Sequence, residues 1–286
     1  MDCAKGIGAR LARPKKSLAK MEGILRVMRK LPLLIAVPTT AGTGSETTLA
    51  AVITDEKTHH KYAINDFNLI PDYAVLEPQV TVGLPPLLTA TTGMDALTHA
   101  VEAYIGRSTT RQTRAASIEA VRLIFANLQT AYKDGHNLTA RANMLHASYL
   151  AGTAFTKSYV GYVHAVAHSL GGCYGIAHGL ANSVLLPIVL TAYGEAAHKK
   201  LAALARAAGI SSSASDKDAA NAFIAQIKEM NRSMNIPTTL SGIRKEDIPM
   251  LAHYADHEAN PLYPVPILWD AEKLSEIYDF VQNKGD

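Results

Sequence analysis

The rhythm of apolar positions changes once along this chain, near residue 86. Before it, short apolar runs alternate with small and polar residues. DCAKGIGARLA (2–12) has helical spacing, and LPLLIAV (31–37) reads as a short buried strand ending at the loop PTTAGTGSE. AAVITD (50–55) and HKYAIND (60–66) read as a hairpin separated by Glu56 to Thr58, and DYAVLEP (72–78) reads as a further strand. After the Pro-rich TVGLPPLL, apolar residues recur at helical spacing nearly to the C-terminus. That spacing predicts helices near 88–106, 110–133, 138–157, 162–171, 178–194, 195–208, 216–234, 245–257 and 270–283. The expected architecture is an α/β domain over 1–86 followed by an all-helical domain over 87–286.

Composition narrows the class without naming a chemistry. With 286 residues, 48% apolar and 19% charged, the chain is long enough for one or two globular domains. Its two cysteines, Cys3 and Cys173, stand far apart, which argues against a disulfide framework and for a reducing, cytoplasmic setting. Cys173 reads as a small core residue. No apolar run approaches the ~20 residues of a membrane span, and the N-terminus lacks the apolar core of a signal peptide. Net charge is +3, yet residues 1–30 hold nine Lys or Arg against two acidic residues. No aromatic residue is interleaved there to stack on bases, so this stretch reads as a solvated helix face rather than a nucleic-acid surface.

Candidate chemistry gathers in two places. In TGMDALTHAVEAY, Asp95 and His99 stand four apart, so both side chains leave one helix face. Their neighbours Met94, Leu97, Ala100, Val101 and Ala103 mark that helix as buried, and a buried carboxylate and imidazole need a strong partner. A metal ion is one. Glu102 reads equally as an acceptor for a ligand's ring N–H or as a surface glutamate. In YVHAVAHSLGGCYGIAHGLAN, His164 and His168 share a helical face and His178 follows a Gly-rich stretch. Either both of the pair bind metal with His178 nearby, or one binds and the other faces substrate or cofactor. One carboxylate with three neutral imidazoles suits Fe(II) or Zn(II) and leaves a position open for substrate. The remaining histidines read as structural or surface residues. The loop Pro38–Glu46 offers backbone N–H groups and hydroxyls to an anionic ligand, about as well as it offers a plain structural turn. NPLYPVPI reads as an ordered irregular connection without a functional signal.

LPLLIAVPTTAGTGSE, Lys61, PDYAVLEPQVTVGLPP, ATTGMDALTHAVEAYIG, YVHAVAHSLGGCYGIAHGLANSVLLP and NPLYP together resemble, in order and spacing, the iron-containing (group III) alcohol dehydrogenases. The resemblance implies an N-terminal dinucleotide-binding α/β domain, a helical metal-binding catalytic domain and, between them, a cleft where NAD or NADP meets a small alcohol or aldehyde. It matches Asp95, His99, His164 and His178 to the ligands of Fe(II) or Zn(II), and His168 to a histidine near the nicotinamide linked to proton transfer. It matches Thr39, Thr40, Thr48 and Lys61 to positions close to the cofactor, with Val80 in the stretch lining its pocket. A homo-oligomer is implied, with neither nucleic acid nor membrane as partner. In the family a strand and a Gly-Gly-Gly-Ser turn precede the helix that DCAKGIGA resembles; here Met1-Asp2 stand at that point. The expectation is therefore a partial nucleotide-binding domain with an exposed strand edge and exposed apolar surface. Two alternatives accompany the dehydrogenase reading. One is a truncated remnant that binds metal but little cofactor; the other is a metal-dependent cyclase resembling dehydroquinate synthase, disfavoured because no obvious set of lysines and arginines surrounds the ligands.

Overall fold

The computed structural model describes residues 1–54, 56 and 61–282. Most of the hairpin connection, with His59 and His60, and the side chain of Lys61 lie outside the described residues. The first part runs α1 (Asp2–Ala12), β1 (Gly23–Ile24), β2 (Ile35–Ala36), β3 (Ala50–Thr54), β4 (Lys61–Asn65) and β5 (Tyr73–Ala74). β4 lies between β1, to which it is parallel, and β3, to which it is antiparallel with Ala51 opposite Ile64. β2 and β5 form a separate parallel pair. A small apolar core joins Ala9 of α1 to Met21, Val27, Ala51 and Ile64.

Three expectations need correction here. LPLLIAV is not a buried strand, because only Ile35–Ala36 pair, while Leu33 and Ile35 are 67% and 53% exposed. DYAVLEP likewise shrinks to Tyr73–Ala74. Each has a single ladder partner, and β-propensity records how a residue fits a covered pleat, not whether a cover is present. β1, at two residues, is too short to leave a periodic signal. The basic first segment is not wholly solvated either. Lys5 is fully buried, and its three Nζ hydrogens are shared among Ser45 O, Thr48 O, Thr48 Oγ1 and Ala50 O at 2.7–3.0 Å. Burial pulls its ammonium pKa down to about 8, while those oxygens tie α1 to the end of the loop that follows β2.

The helical part contains α2 (Pro86–Ile105), α3 (Arg111–Lys133), α4 (Leu138–Ser158), α5 (Tyr162–Tyr174), α6 (His178–Tyr193), α7 (Glu195–Ala207), α8 (Asp216–Ser233), α9 (Ile248–Ala259) and α10 (Ala271–Val281). Local signals set many of their ends. Pro86 at the start of α2 lacks only an N–H that would have no helical partner. Thr110 and Thr113 form a capping box on α3, and the side chains of Asn137, Ser215 and Asp270 cap α4, α8 and α10. α2 is the central element, buried along nearly its whole length and packed against α3, α4 and α6. Pro187 inside α6 cannot donate to the Ser183 carbonyl, and Asn231 of α8 supplies that hydrogen bond at 2.6 Å. One large apolar core runs through this bundle. Among the described residues, no helix is long and apolar enough to cross a membrane.

Candidate metal centre

Three helices converge because of specific side chains. Asp95 and His99 lie one turn apart on α2, and Glu102 lies on the same helix. The Glu102 carboxylate accepts from the backbone N–H groups of Gly161 and Val163, both at 2.8 Å, so α2 satisfies otherwise unpaired donors at the start of α5. That sets His164 opposite Asp95 and His99. The chain leaves α5 through Gly175, at φ +66°, and α6 opens on His178. At Gly179 the backbones of α6 and α2 touch: a Cβ there would lie 2.7 Å from the Thr91 carbonyl oxygen. Gly179→Ala gains about 1 kcal/mol of helix propensity, but its methyl meets a backbone atom that cannot rotate away. The expected net result is a loss of about 1–3 kcal/mol of stability in urea denaturation. A variant as stable as the parent would show that α6 slides freely along α2.

The donor atoms of Asp95, His99, His164 and His178 all lie within 4.8 Å of one another. His178 Nε2 is 3.4 Å and His164 Nε2 3.8 Å from Asp95 Oδ1. Asp95, His99 and His164 are buried, whereas the His178 side chain is 40% exposed. Asn182, one turn after His178, directs Nδ2 at Asp95 Oδ1 (2.7 Å), His178 Nε2 (3.1 Å) and His164 Nε2 (3.2 Å). An amide NH2 has two hydrogens, so three acceptors exceed what it can satisfy. The His99 ring is stacked between Phe155 (4.2 Å) and His164 (4.5 Å), and among the described residues its buried Nδ1 has no partner within hydrogen-bond geometry.

Electrostatics select the form that binds a cation. Burial lowers the pKa values of His99 and His164, and neighbouring imidazoles lower His164 further, so both rings are neutral near pH 7. His164 Nδ1 lies 2.6 Å from Glu102 Oε2 and Nε2 faces the donor-only Nδ2 of Asn182, an arrangement that fits a neutral ring with its hydrogen on Nδ1 and Nε2 accepting. Burial pushes the Glu102 carboxyl up to about 8, against three N–H donors that favour the anion. Converging lone pairs on neutral rings, an over-subscribed amide and an orphaned ring nitrogen fit a divalent cation held by one oxygen and three nitrogens.

Of the paired histidines, His164 belongs to this four-donor group and His168 does not. The His168 ring stacks on His178 with centroids 5.2 Å apart, and its Nδ1 is 2.7 Å from Glu258 Oε1. Thr39 is exposed and Thr40 half-buried in the loop after β2, and Val80 is exposed in the turn Pro78–Thr81. Thr48 is buried with its hydroxyl accepting from Lys5, so that hydroxyl serves the loop's own anchoring. Cys173 is exposed rather than a core residue, because the last turn of α5 leaves the bundle. Glu102 is buried and paired, and Asn182, Glu258 and Tyr263 are additions that sequence reasoning missed. The four-residue spacing of His178 and Asn182 was an available signal; Glu258 left none.

A buried carboxylate–imidazole cluster in a helical bundle, beside a small α/β unit, has the donor set that metal-dependent chemistry requires. Residues 89–280 match the Fe-containing alcohol dehydrogenase family, C-terminal, and residues 1–78 match iron-containing alcohol dehydrogenase. The chain is 42% identical over 280 residues to 1,3-propanediol dehydrogenase of Citrobacter freundii, an alignment spanning 97% of this chain and 72% of that protein. The crystal structure of a 1,3-propanediol oxidoreductase superposes with a TM-score of 0.92 at 40% identity, over 97% of this chain and 73% of that one. Sulfoacetaldehyde reductase from Bifidobacterium kashiwanohense, solved with NAD+, superposes with a TM-score of 0.86 at 29% identity, over 100% of this chain and 74% of that one. The chain belongs to the iron-containing alcohol dehydrogenase family, and its class is oxidoreductase.

Proposed function

We propose that this protein is a metal-dependent alcohol dehydrogenase that interconverts a small primary or secondary alcohol with its aldehyde or ketone, using NAD or NADP. The reading rests on one observation above others, the convergence of the Asp95, His99, His164 and His178 donor atoms within 4.8 Å. The family favours Fe(II) over Zn(II), and the NAD+ complex of the Bifidobacterium reductase favours NAD. When bound, the ion supplies Lewis-acid polarisation of the substrate oxygen and the nicotinamide supplies the hydride acceptor. This chain's residues do the rest. Glu102 holds the His164 proton on Nδ1, and the apolar bundle keeps water from the three buried donors. His168, beside His178 and half-exposed, takes up or returns the substrate hydroxyl proton. Thr39, Thr40, Thr48, Lys61 and Val80 are proposed to stand beside the dinucleotide, Thr48 by shaping the loop. We place the division between α/β and catalytic domains at residues 86 and 87, between Leu69, the last residue of the first apolar core, and Ala90, the first of the second. Exposed free thiols fit a reducing compartment such as the cytoplasm, and exposed apolar residues around β2 and β5 favour a homo-oligomer.

Two measurements test the reading. Loading with Fe(II) or Zn(II) at a hundredfold excess over Kd should add about 2.7 kcal/mol of stability, with a further thermal shift on adding NAD+ or NADP+. The loaded protein should then reduce the nicotinamide with short alcohols. Metal-induced stabilisation without a dinucleotide shift or turnover would reduce the protein to a metal binder.

A further inference from the structure

His164 and His168 stand four residues apart on α5, and each presents Nδ1 to a carboxylate from a different helix. Glu102 of α2 faces His164 at 2.6 Å, and Glu258 of α9 faces His168 at 2.7 Å. The second pair is braced from behind. Tyr263, in the irregular stretch after α9, donates its hydroxyl proton to the same Glu258 Oε1 at 2.6 Å. That stretch is itself pinned. Asn260 donates to Asp256 Oδ1 (2.6 Å) and to the Trp269 carbonyl (2.8 Å), while its own oxygen accepts from Tyr162 at the first position of α5 (3.0 Å). The C-terminal end of α9 is thus held in register with the helix that carries His168, and NPLYPVPI is not the inert connection expected from sequence.

We propose that Glu258 is a positioning residue for His168: it keeps the ring's hydrogen on Nδ1 and fixes the ring plane beside His178, with Tyr263 immobilising the carboxylate. A neutral imidazole that donates from Nδ1 accepts through Nε2, so this contact decides which nitrogen handles the substrate proton. α5 therefore carries two carboxylate–imidazole pairs one turn apart, one turned to the metal donors and one to proton handling. The side chains differ in burial in the same sense. Glu102 and His164 are almost wholly buried, whereas His168 is 42% and Glu258 34% exposed, at the open side shared with His178. Only the kinetic consequence rests on the dehydrogenase reading; the tautomer does not.

The test compares the parent, Glu258→Ala and Glu258→Gln, each loaded with Zn(II) to stay diamagnetic. Histidine ring nitrogens are observed by isotope-edited magnetic resonance, with His168 assigned from the signals lost in His168→Gln. In the parent His168 should be the Nδ1–H tautomer; Glu258→Ala should lose it, and Glu258→Gln, whose amide oxygen still accepts, should keep it. Metal content should be equal in all three. Glu258→Ala should lower kcat at least about tenfold, with the alcohol KM within about twofold, and Glu258→Gln should recover most of the loss. An unchanged tautomer or an unchanged kcat in Glu258→Ala would overturn the proposal, as would Gln performing no better than Ala. If the parent itself fails to turn over, the dehydrogenase reading falls, and the tautomer comparison alone decides the role of Glu258.

Discussion

His178→Ala is expected to release the metal while leaving the fold intact. His178 opens α6 with its side chain 40% exposed, so its removal empties little core and orphans no buried backbone group. It nevertheless takes away one of four donors, the only one of them that is not buried. Outer partners of metal ligands are worth about 10–100-fold in affinity, and the loss of a direct donor should exceed that. After loading and dialysis, metal analysis should give one ion per parent chain and close to none for the variant. Denaturation midpoints of the two metal-free proteins should coincide. Full occupancy in His178→Ala would refute the ligand assignment.

Glu102→Ala should act on stability first. Three donors, Gly161 N–H, Val163 N–H and His164 Nδ1–H, lose their acceptor in a buried position. At about 1–3 kcal/mol for each orphaned group, the expected cost is about 3–9 kcal/mol, a large share of a typical domain's 5–15 kcal/mol. Glu102→Gln keeps an accepting oxygen but turns an NH2 toward one of the donors, so about 1–3 kcal/mol is expected. Urea denaturation of the metal-free proteins measures both. A parent-like midpoint for Glu102→Ala would mean that water replaces the carboxylate and that the α2–α5 junction does not depend on it. Metal affinity in Glu102→Gln should also fall, because an amide NH2 turned toward His164 Nδ1 would no longer hold that ring's hydrogen on Nδ1.

The nine helices among the described residues after 86 were legible because each repeats its apolar face over several turns; their observed ends fall within three residues of those expected. The strands were not, since two-residue ladders such as Ile35–Ala36 depend on which neighbour is present, not on their own composition. Lys5 shows the same limit from the polar side: a lysine among basic residues reads as solvated until β3 and its preceding loop surround it with oxygens.

At the site, Asp95 and His99 were readable as a pair because one helix carries both and its apolar neighbours imply burial. His164 and His168 were indistinguishable by spacing, and only a family resemblance chose between them. In the fold the choice has a physical basis: Glu102 turns His164 into the group with Asp95, His99 and His178, whereas Glu258 holds His168 outside it. Glu258 itself sits in an amphipathic helix among exposed histidines, with nothing in its vicinity to mark it.

By itself, then, the sequence determined the helical periodicity, the change of texture near residue 86, the family, and the residue types that can hold a cation, since these follow from local spacing and chemistry. Tertiary structure decided which imidazoles share a centre, which carboxylates set their tautomers, and which apolar runs are covered. Those outcomes depend on residues 60–90 positions apart meeting within a hydrogen bond, and no local pattern encodes that meeting.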